Sequence, residues 1–417
     1  MKKLITLLIS LLLLLSVMPT TALADDEYFT QEQIDYYKNL GLQGTTVNVY
    51  NWGEYISDGS EGSMDVIYQF ERLTGAKVNY TNFESNENMY SKLSGGGVSY
   101  DVIVPSDYMI DRLIDEDMLL PLDYDNIPNM KYINEKYSHL YYDPDQIYTV
   151  TYNVGTTVLI YNTKLVSEKP TSWNVLWDEQ YRDKVLMFNN PRDAFAIAQA
   201  VLGQDFNSNN EQDWAQAAEL LAKQKDLVNP VYVMDEVFNL MESGEYAFAT
   251  YYAGDYLLML ENNEDLDYCY PEEGVNEFYD AFCIPNCSKN KRGGEAFINF
   301  MHEPQVAYEN CEYIYYHSPN VTVENNEESS LFEEPVIYPE NIKTQVFKNL
   351  PQNIIELENN LWTQVKSGKL SVDSKAQDKK IYTEFCVLVA GVTVVAVFKL
   401  ISNAKKKKEQ DLTQLYD

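Results

Sequence analysis

Two segments, Tyr50-Asn51-Trp52-Gly53-Glu54-Tyr55 and Asn82-Phe83-Glu84-Ser85-Asn86-Glu87-Asn88-Met89-Tyr90, place aromatic rings beside carboxylates directly after short β-like runs. A ring face attracts positive charge, and a nearby carboxylate completes the cage with charge-assisted hydrogen bonds. The pairing suits an organic cation. Asp280 adds an acid inside an otherwise apolar strand-like run, where an ionised carboxylate requires a cationic partner or several hydrogen bonds. Signatures of catalysis are missing. His139, His302 and His317 are scattered without metal-ligand spacing, and there is no nucleophile elbow, P-loop or G-x-G-x-x-G. Gly95-Gly96-Gly97 reads as a turn rather than a phosphate cradle. We therefore assign no catalytic residue, no metal ligand and no cofactor, and expect a binding protein rather than an enzyme.

Charge agrees with that chemistry. The formal net charge is −33, from 64 acidic and 31 basic residues, a field that repels nucleic acid and steers polycations inward. An acidic, soluble exterior is the plainer explanation of the same number. The 34 tyrosines favour surfaces that stack and hydrogen-bond at once.

The elements that must position these residues read as α/β. Val47 to Tyr50 alternates like a strand, and Met64, Ile67, Phe70 and Leu73 recur at helical spacing up to Gly75. Val78 to Tyr80 and Tyr100 to Pro105 read as further strands, with Asn86 capping a helix between them. A second series begins near Val154: a strand over Thr157 to Tyr161, a helix capped by Ser172, a strand over Val185 to Phe188, then a long helix from Asn190-Pro191. Strands alternating with helices predict parallel sheets covered by helices. Thr30 to Leu42 reads as a short helix without an assigned role.

Both ends carry targeting signals. Lys2 and Lys3, the apolar run Leu4 to Val17 and the small-x-small Ala22-Leu23-Ala24 predict a signal peptide over residues 1–24. The apolar stretch within residues 381–402, followed by Lys405 to Lys408, predicts a transmembrane helix with its basic tail, 403–417, in the cytoplasm. Cys269, Cys283, Cys287 and Cys311 allow three disulfide pairings or none, and their spacing matches no zinc site.

From about Thr46 to Gly368 the chain resembles the spermidine/putrescine-binding proteins of polyamine ABC transporters, most strongly in the two segments above and in Asp101 to Leu119. The resemblance implies a type II periplasmic-binding-protein fold with a hinge and an interlobe cleft. We expect residues 25–44 as an N-terminal extension, 45–151 and 279–322 as lobe 1, 152–278 and 323–368 as lobe 2, and 369–380 as a linker. Trp52 and Tyr55 match the aromatic pair after the first strand, with Glu54 between them, and Ser106 and Tyr108 match the pair after the third. Asn190 and Asp193 fall where the family carries two carboxylates, although Asn190 before Pro191 is also a good helix cap. Tyr252, Phe278, Asp280 and Tyr316 match further cleft positions. The family's C-terminal amide has no match; Lys348 stands near its place. The implied ligand is a linear polyamine, and the implied partners are a permease pair with a cytoplasmic ATPase, outside a bacterial plasma membrane. The alternatives are a basic amino acid or peptide as ligand, or a membrane-tethered sensor.

Overall fold

A computed structural model of the chain describes residues 28–370. The expected signal peptide, transmembrane helix and basic tail lie outside the described residues. Among the described residues no helix is long and apolar enough to cross a membrane.

The described residues begin with α1 (Gln31–Lys38), capped by Thr30 in a reciprocal capping box with Gln33. An alternating series follows: β1 (Thr46–Trp52), α2 (Val66–Thr74), β2 (Lys77–Phe83), α3 (Asn86–Ser94), β3 (Val102–Ile103) and α4 (Asp107–Asp115). Its strands form a parallel sheet in the order β2-β1-β3. The chain then enters β4 (Val150–Asn162), β5 (Val185–Phe188), α5 (Pro191–Leu202), α6 (Glu211–Val228), β6 (Val231–Val233) and α7 (Glu236–Glu242). Next come β7 (Phe248–Tyr252), α8 (Ala253–Asn262), β8 (Leu266–Cys269), β9 (Val275–Phe282), α9 (Lys291–Met301), α10 (Pro304–Ile314), α11 (Val321–Glu324), β10 (Thr344–Val346) and α12 (Gln352–Ser367).

The second sheet is mixed rather than parallel. β4 pairs antiparallel with β9 through its first half and with β7 and β8 through its second. Geometry requires this. β4 leaves the first body for the second, and β9 returns beside it, so the two must run in opposite directions. Past β9, Cys283 bridges Ile103 of the first sheet, which ties the crossover pair to both bodies. β5 pairs in parallel with both β6 and β7, as the helical crossovers predict.

One apolar core gathers Val47, Val49, Phe70, Val102, Phe297 and Phe300 around the first sheet. The other centres on Leu186, Phe188, Phe195, Trp214 and Phe248, and it includes Met109 and Ile110 of α4. Apolar packing is thus continuous across the junction, and the two bodies are closed on one another.

Smaller expectations are corrected. Ser85, not Asn86, caps α3, which leaves the Asn86 side chain free to accept from the Ser106 N–H at 3.1 Å. The segment after Ser172 is a single 3-10 turn, Trp173–Trp177. Of the alternatives left open for the cysteines, the structure takes the one without disulfides: all four described cysteines are free thiols, and burial pushes the Cys269 thiol up to about 12.

Residues 28–44 are built into the first body. Tyr37 is fully buried, donates to Glu303 Oε1 at 2.8 Å and accepts from Asn299 at 2.9 Å, while Phe29 and Leu42 join the same core. Tyr37→Ala is expected to lower the unfolding free energy by about 3–5 kcal/mol, the usual cost of emptying a large aromatic site. Chemical denaturation measures that loss; ligand affinity stays unchanged, because Tyr37 does not reach the cleft.

Candidate functional site

The crossover strands and the helix N-termini around them enclose a narrow cavity of about 60 Å³. All eleven residues singled out from the sequence line it: Trp52, Glu54, Tyr55, Ser106, Tyr108, Asn190, Asp193, Tyr252, Phe278, Asp280 and Tyr316. Most are delivered by element ends, while Phe278 and Asp280 project from within β9. β1 stops at Trp52, and the chain turns sharply at Glu54 (φ 45°), which aims the Trp52 and Tyr55 rings inward. Asn190 and Pro191 start α5, which puts Asp193 in its first turn, where the helix dipole favours a negative charge. β7 hands Tyr252 over to α8.

The rings form a continuous wall. Tyr55 meets Tyr316 edge-on at 4.8 Å, and Phe278 meets Tyr252 edge-on at 5.4 Å. Two glycines permit this packing. A Cβ on Gly155 would lie 2.3 Å from the Phe278 ring, and one on Gly254 would lie 2.6 Å from the Tyr316 ring.

Carboxylates cluster toward two ends. At the inner end, Asp193 Oδ2 accepts from Asn190 Nδ2 at 2.7 Å and from the Tyr252 hydroxyl at 3.1 Å. Nearby, Asp280 Oδ2 accepts from the Tyr55 hydroxyl at 2.8 Å. The second oxygen of each acid, Oδ1, is buried without a hydrogen-bond partner. Burial pushes Asp193 up to about 7, with Glu87 adding to the rise and the Tyr252 hydroxyl and Arg192 opposing it. Burial likewise pushes Asp280 up to about 6, against the pull of the Ser106 and Tyr55 hydroxyls. At the outer end stand Glu54, Asp235 and Asp255, all raised, first by burial and then by a neighbouring acid. A space this narrow, walled by rings and acidic at two ends, holds a slender chain with a positive charge at each tip.

Sequence reasoning missed Asn86, Met234, Asp235, Phe238, Tyr251, Asp255, Asn276 and Phe347 as lining residues. Asp255 lay within the segment Tyr251-Tyr252-Ala253-Gly254-Asp255, and its position one turn beyond a cleft tyrosine was the available signal. Phe347 lines the cavity where Lys348 was aligned. The Lys348 backbone carbonyl instead accepts from Arg192 Nη2 at 3.3 Å. Asp107 stays outside the cavity, accepting the N–H groups of Tyr108 (2.7 Å) and Tyr279 (3.2 Å) and fixing α4 against β9. Among the described residues no group of His, Cys, Asp or Glu is arranged to hold a metal ion.

The cavity opens on a larger acidic mouth of about 870 Å³. Glu54 and Asp235 belong to both; Glu61, Glu84, Glu242 and Glu261 line the mouth, and no lysine or arginine is among its described lining residues. Such a funnel raises the capture rate of a cation more than it lengthens its stay. The double variant Glu61→Gln/Glu261→Gln is expected to slow association of a dication by about threefold to tenfold at low salt, with dissociation unchanged. Stopped-flow binding checks this, and the difference should vanish near 1 M salt.

Residues 65–340 match the model of the family described as bacterial extracellular solute-binding proteins. The chain is 31% identical over 305 residues to spermidine/putrescine-binding periplasmic protein 1 of Haemophilus influenzae, covering 72% of this chain and 83% of that protein. Among solved structures it is similar to a spermidine/putrescine ABC transporter protein of Listeria monocytogenes, with TM-score 0.73 and 33% identity over 78% of this chain and 99% of that one. The substrate-binding protein PotD of Streptococcus pneumoniae is similar at TM-score 0.64 and 32% identity, over 78% and 99%.

Proposed function

The chain belongs to the bacterial extracellular solute-binding proteins, and from that premise we propose that it captures a linear polyamine, spermidine or putrescine, for an ABC importer. The observation that carries this reading is the pair of buried, unpartnered carboxylate oxygens on Asp193 and Asp280 inside a ring-walled cavity with a second acidic end. An ammonium group supplies both the missing hydrogen bonds and the missing charge. The methylenes lie against Trp52, Tyr55, Tyr108, Tyr252, Phe278 and Tyr316. Amines at either end meet Asp193 and Asp280, or Glu54, Asp235 and Asp255.

The two bodies act as lobes, residues 45–151 with 279–322 and residues 152–278 with 323–368, which open about β4 and β9 to admit ligand. The closed form then docks on a permease pair driven by a cytoplasmic ATPase. Residues 1–24 direct export, and residues 381–402 with Lys405 to Lys408 tether the protein to the outer face of the plasma membrane. No catalytic step belongs to this role.

Thermal denaturation with a ligand panel tests the assignment. Polyamine at about a thousand times its Kd adds about 4 kcal/mol, a Tm rise of about 5 °C for a chain of this size. Arginine and lysine should leave Tm in place. A rise with arginine alone would move the protein to another cationic solute.

A further inference from the structure

Beyond the inner end of the cleft lies a second cavity of about 250 Å³. Tyr108 lines both spaces, and its hydroxyl donates at 2.8 Å to Glu87 Oε1, which lines only the second. The two bodies build this chamber jointly, with Glu87 from α3, Arg192 from α5 and Glu358 from α12.

Its polar groups are unmet. Glu358 is 6% exposed and its Oε1 has no hydrogen-bond partner, and Glu87 Oε2 is buried in the same condition. Arg192 is 3% exposed and bonds through one nitrogen to Asn207 Oδ1 at 2.8 Å, while its Nε and Nη1 are unpartnered. Arg112, also on the wall, is committed to Glu116 at 2.9 Å and to the face of Tyr90. Buried Glu358 and half-buried Glu87 therefore share one guanidinium, Arg192, which also lies over the Phe347 ring at 4.6 Å, and Asp193 adds negative field from the cleft side. Water meets these free oxygens only with neutral hydrogen bonds, whereas an ammonium meets them with stronger, charge-assisted ones.

We propose that this chamber extends the cleft and receives the far ammonium of a triamine, so that it selects ligand length. The inference rests on the polyamine reading. Putrescine is satisfied within the cleft, where carboxylates stand at both ends. Spermidine's aminopropyl arm passes the Tyr108 ring, lays its methylenes on Met109 and Leu350, and places a third ammonium between Glu87 and Glu358. Burial pushes Glu358 up to about 8, with Glu87 and Asp193 adding to the rise against Arg192, so a proton holds that place until an amine displaces it.

Calorimetric titration of wild type, Glu358→Gln and Glu356→Lys with putrescine and spermidine decides the matter. Glu356 is exposed on the chamber rim, so its variant places a repelling charge there without burdening the fold. Each variant should cost spermidine at least about tenfold more affinity than putrescine. Equal losses for the two amines, or no loss in either variant, would overturn the proposal while leaving polyamine binding intact. Failure of wild type to bind putrescine at all would overturn the functional reading, and this inference with it.

Discussion

Asp280→Ala lowers polyamine affinity by about a hundredfold or more, the scale expected when a buried ammonium loses its charged partner. Asp280 is 3% exposed, sits in β9 between apolar neighbours and keeps one carboxylate oxygen free of protein partners. Its other oxygen is held by Tyr55, so the carboxylate cannot turn away from the cavity without breaking a 2.8 Å bond. Asp280→Asn separates charge from shape: it keeps an acceptor for Tyr55 and should lose nearly as much affinity as alanine. Neither variant should unfold the ligand-free protein, because removing an unpaired buried charge relieves about as much cost as the lost hydrogen bond adds. Calorimetric Kd values beside ligand-free Tm values check both halves. Unchanged affinity in the two variants would remove Asp280 from the site.

The second large effect is on pH. Asp193 and Asp280 are raised to about 7 and about 6 in the ligand-free cleft, chiefly by burial. A carboxyl whose folded pKa is raised favours the empty closed form below its unfolded pKa near 4, and that contribution is lost as pH rises through the folded value. A bound ammonium reverses the balance, since it favours the ionised acids. Affinity should therefore fall as pH falls, about tenfold per unit from pH 7 to 6 and more steeply below 6 as Asp280 joins. From pH 7 to 5 the total is about five-hundredfold. Binding at pH 6 to 7 should release protons, visible as a calorimetric heat that scales with the buffer's ionisation enthalpy. A flat profile over this range would mean that the two acids are already ionised in the free protein.

How much of this was legible beforehand differs by element. The first body was the clearest, because β1 and α2 each show a single periodicity ended by a glycine, Gly53 and Gly75. Trp52, Glu54, Tyr55 and Asp280 were legible from their type pattern, rings beside acids at a strand end and one acid inside the apolar β9, whereas Ser106, Tyr108, Asn190, Asp193, Tyr252, Phe278 and Tyr316 were reached through the resemblance to polyamine-binding proteins. Asp235, Met234 and Phe238 were not, since a three-residue strand followed by a seven-residue helix gives little periodic signal. The antiparallel crossover was missed for a different reason. Alternation of strands and helices predicts parallel neighbours, and nothing local in β4 records that β9 returns beside it 121 to 132 residues later. Asn190 illustrates the value of keeping both readings. It caps α5, accepting from the Arg192 N–H at 3.0 Å, and it also lines the cavity, where its amide holds Asp193. Glu87 and Glu358 became visible only when two distant helices closed over one space.

The central claim is that a slender polycation fills the cleft between the two bodies. Isothermal titration of the purified protein with putrescine, spermidine and arginine at pH 7.5 tests it most directly. The account predicts one-to-one binding of a polyamine at micromolar Kd or tighter, with arginine silent. Arginine binding with the polyamines silent, or no heat from any of the three at several temperatures, would contradict it.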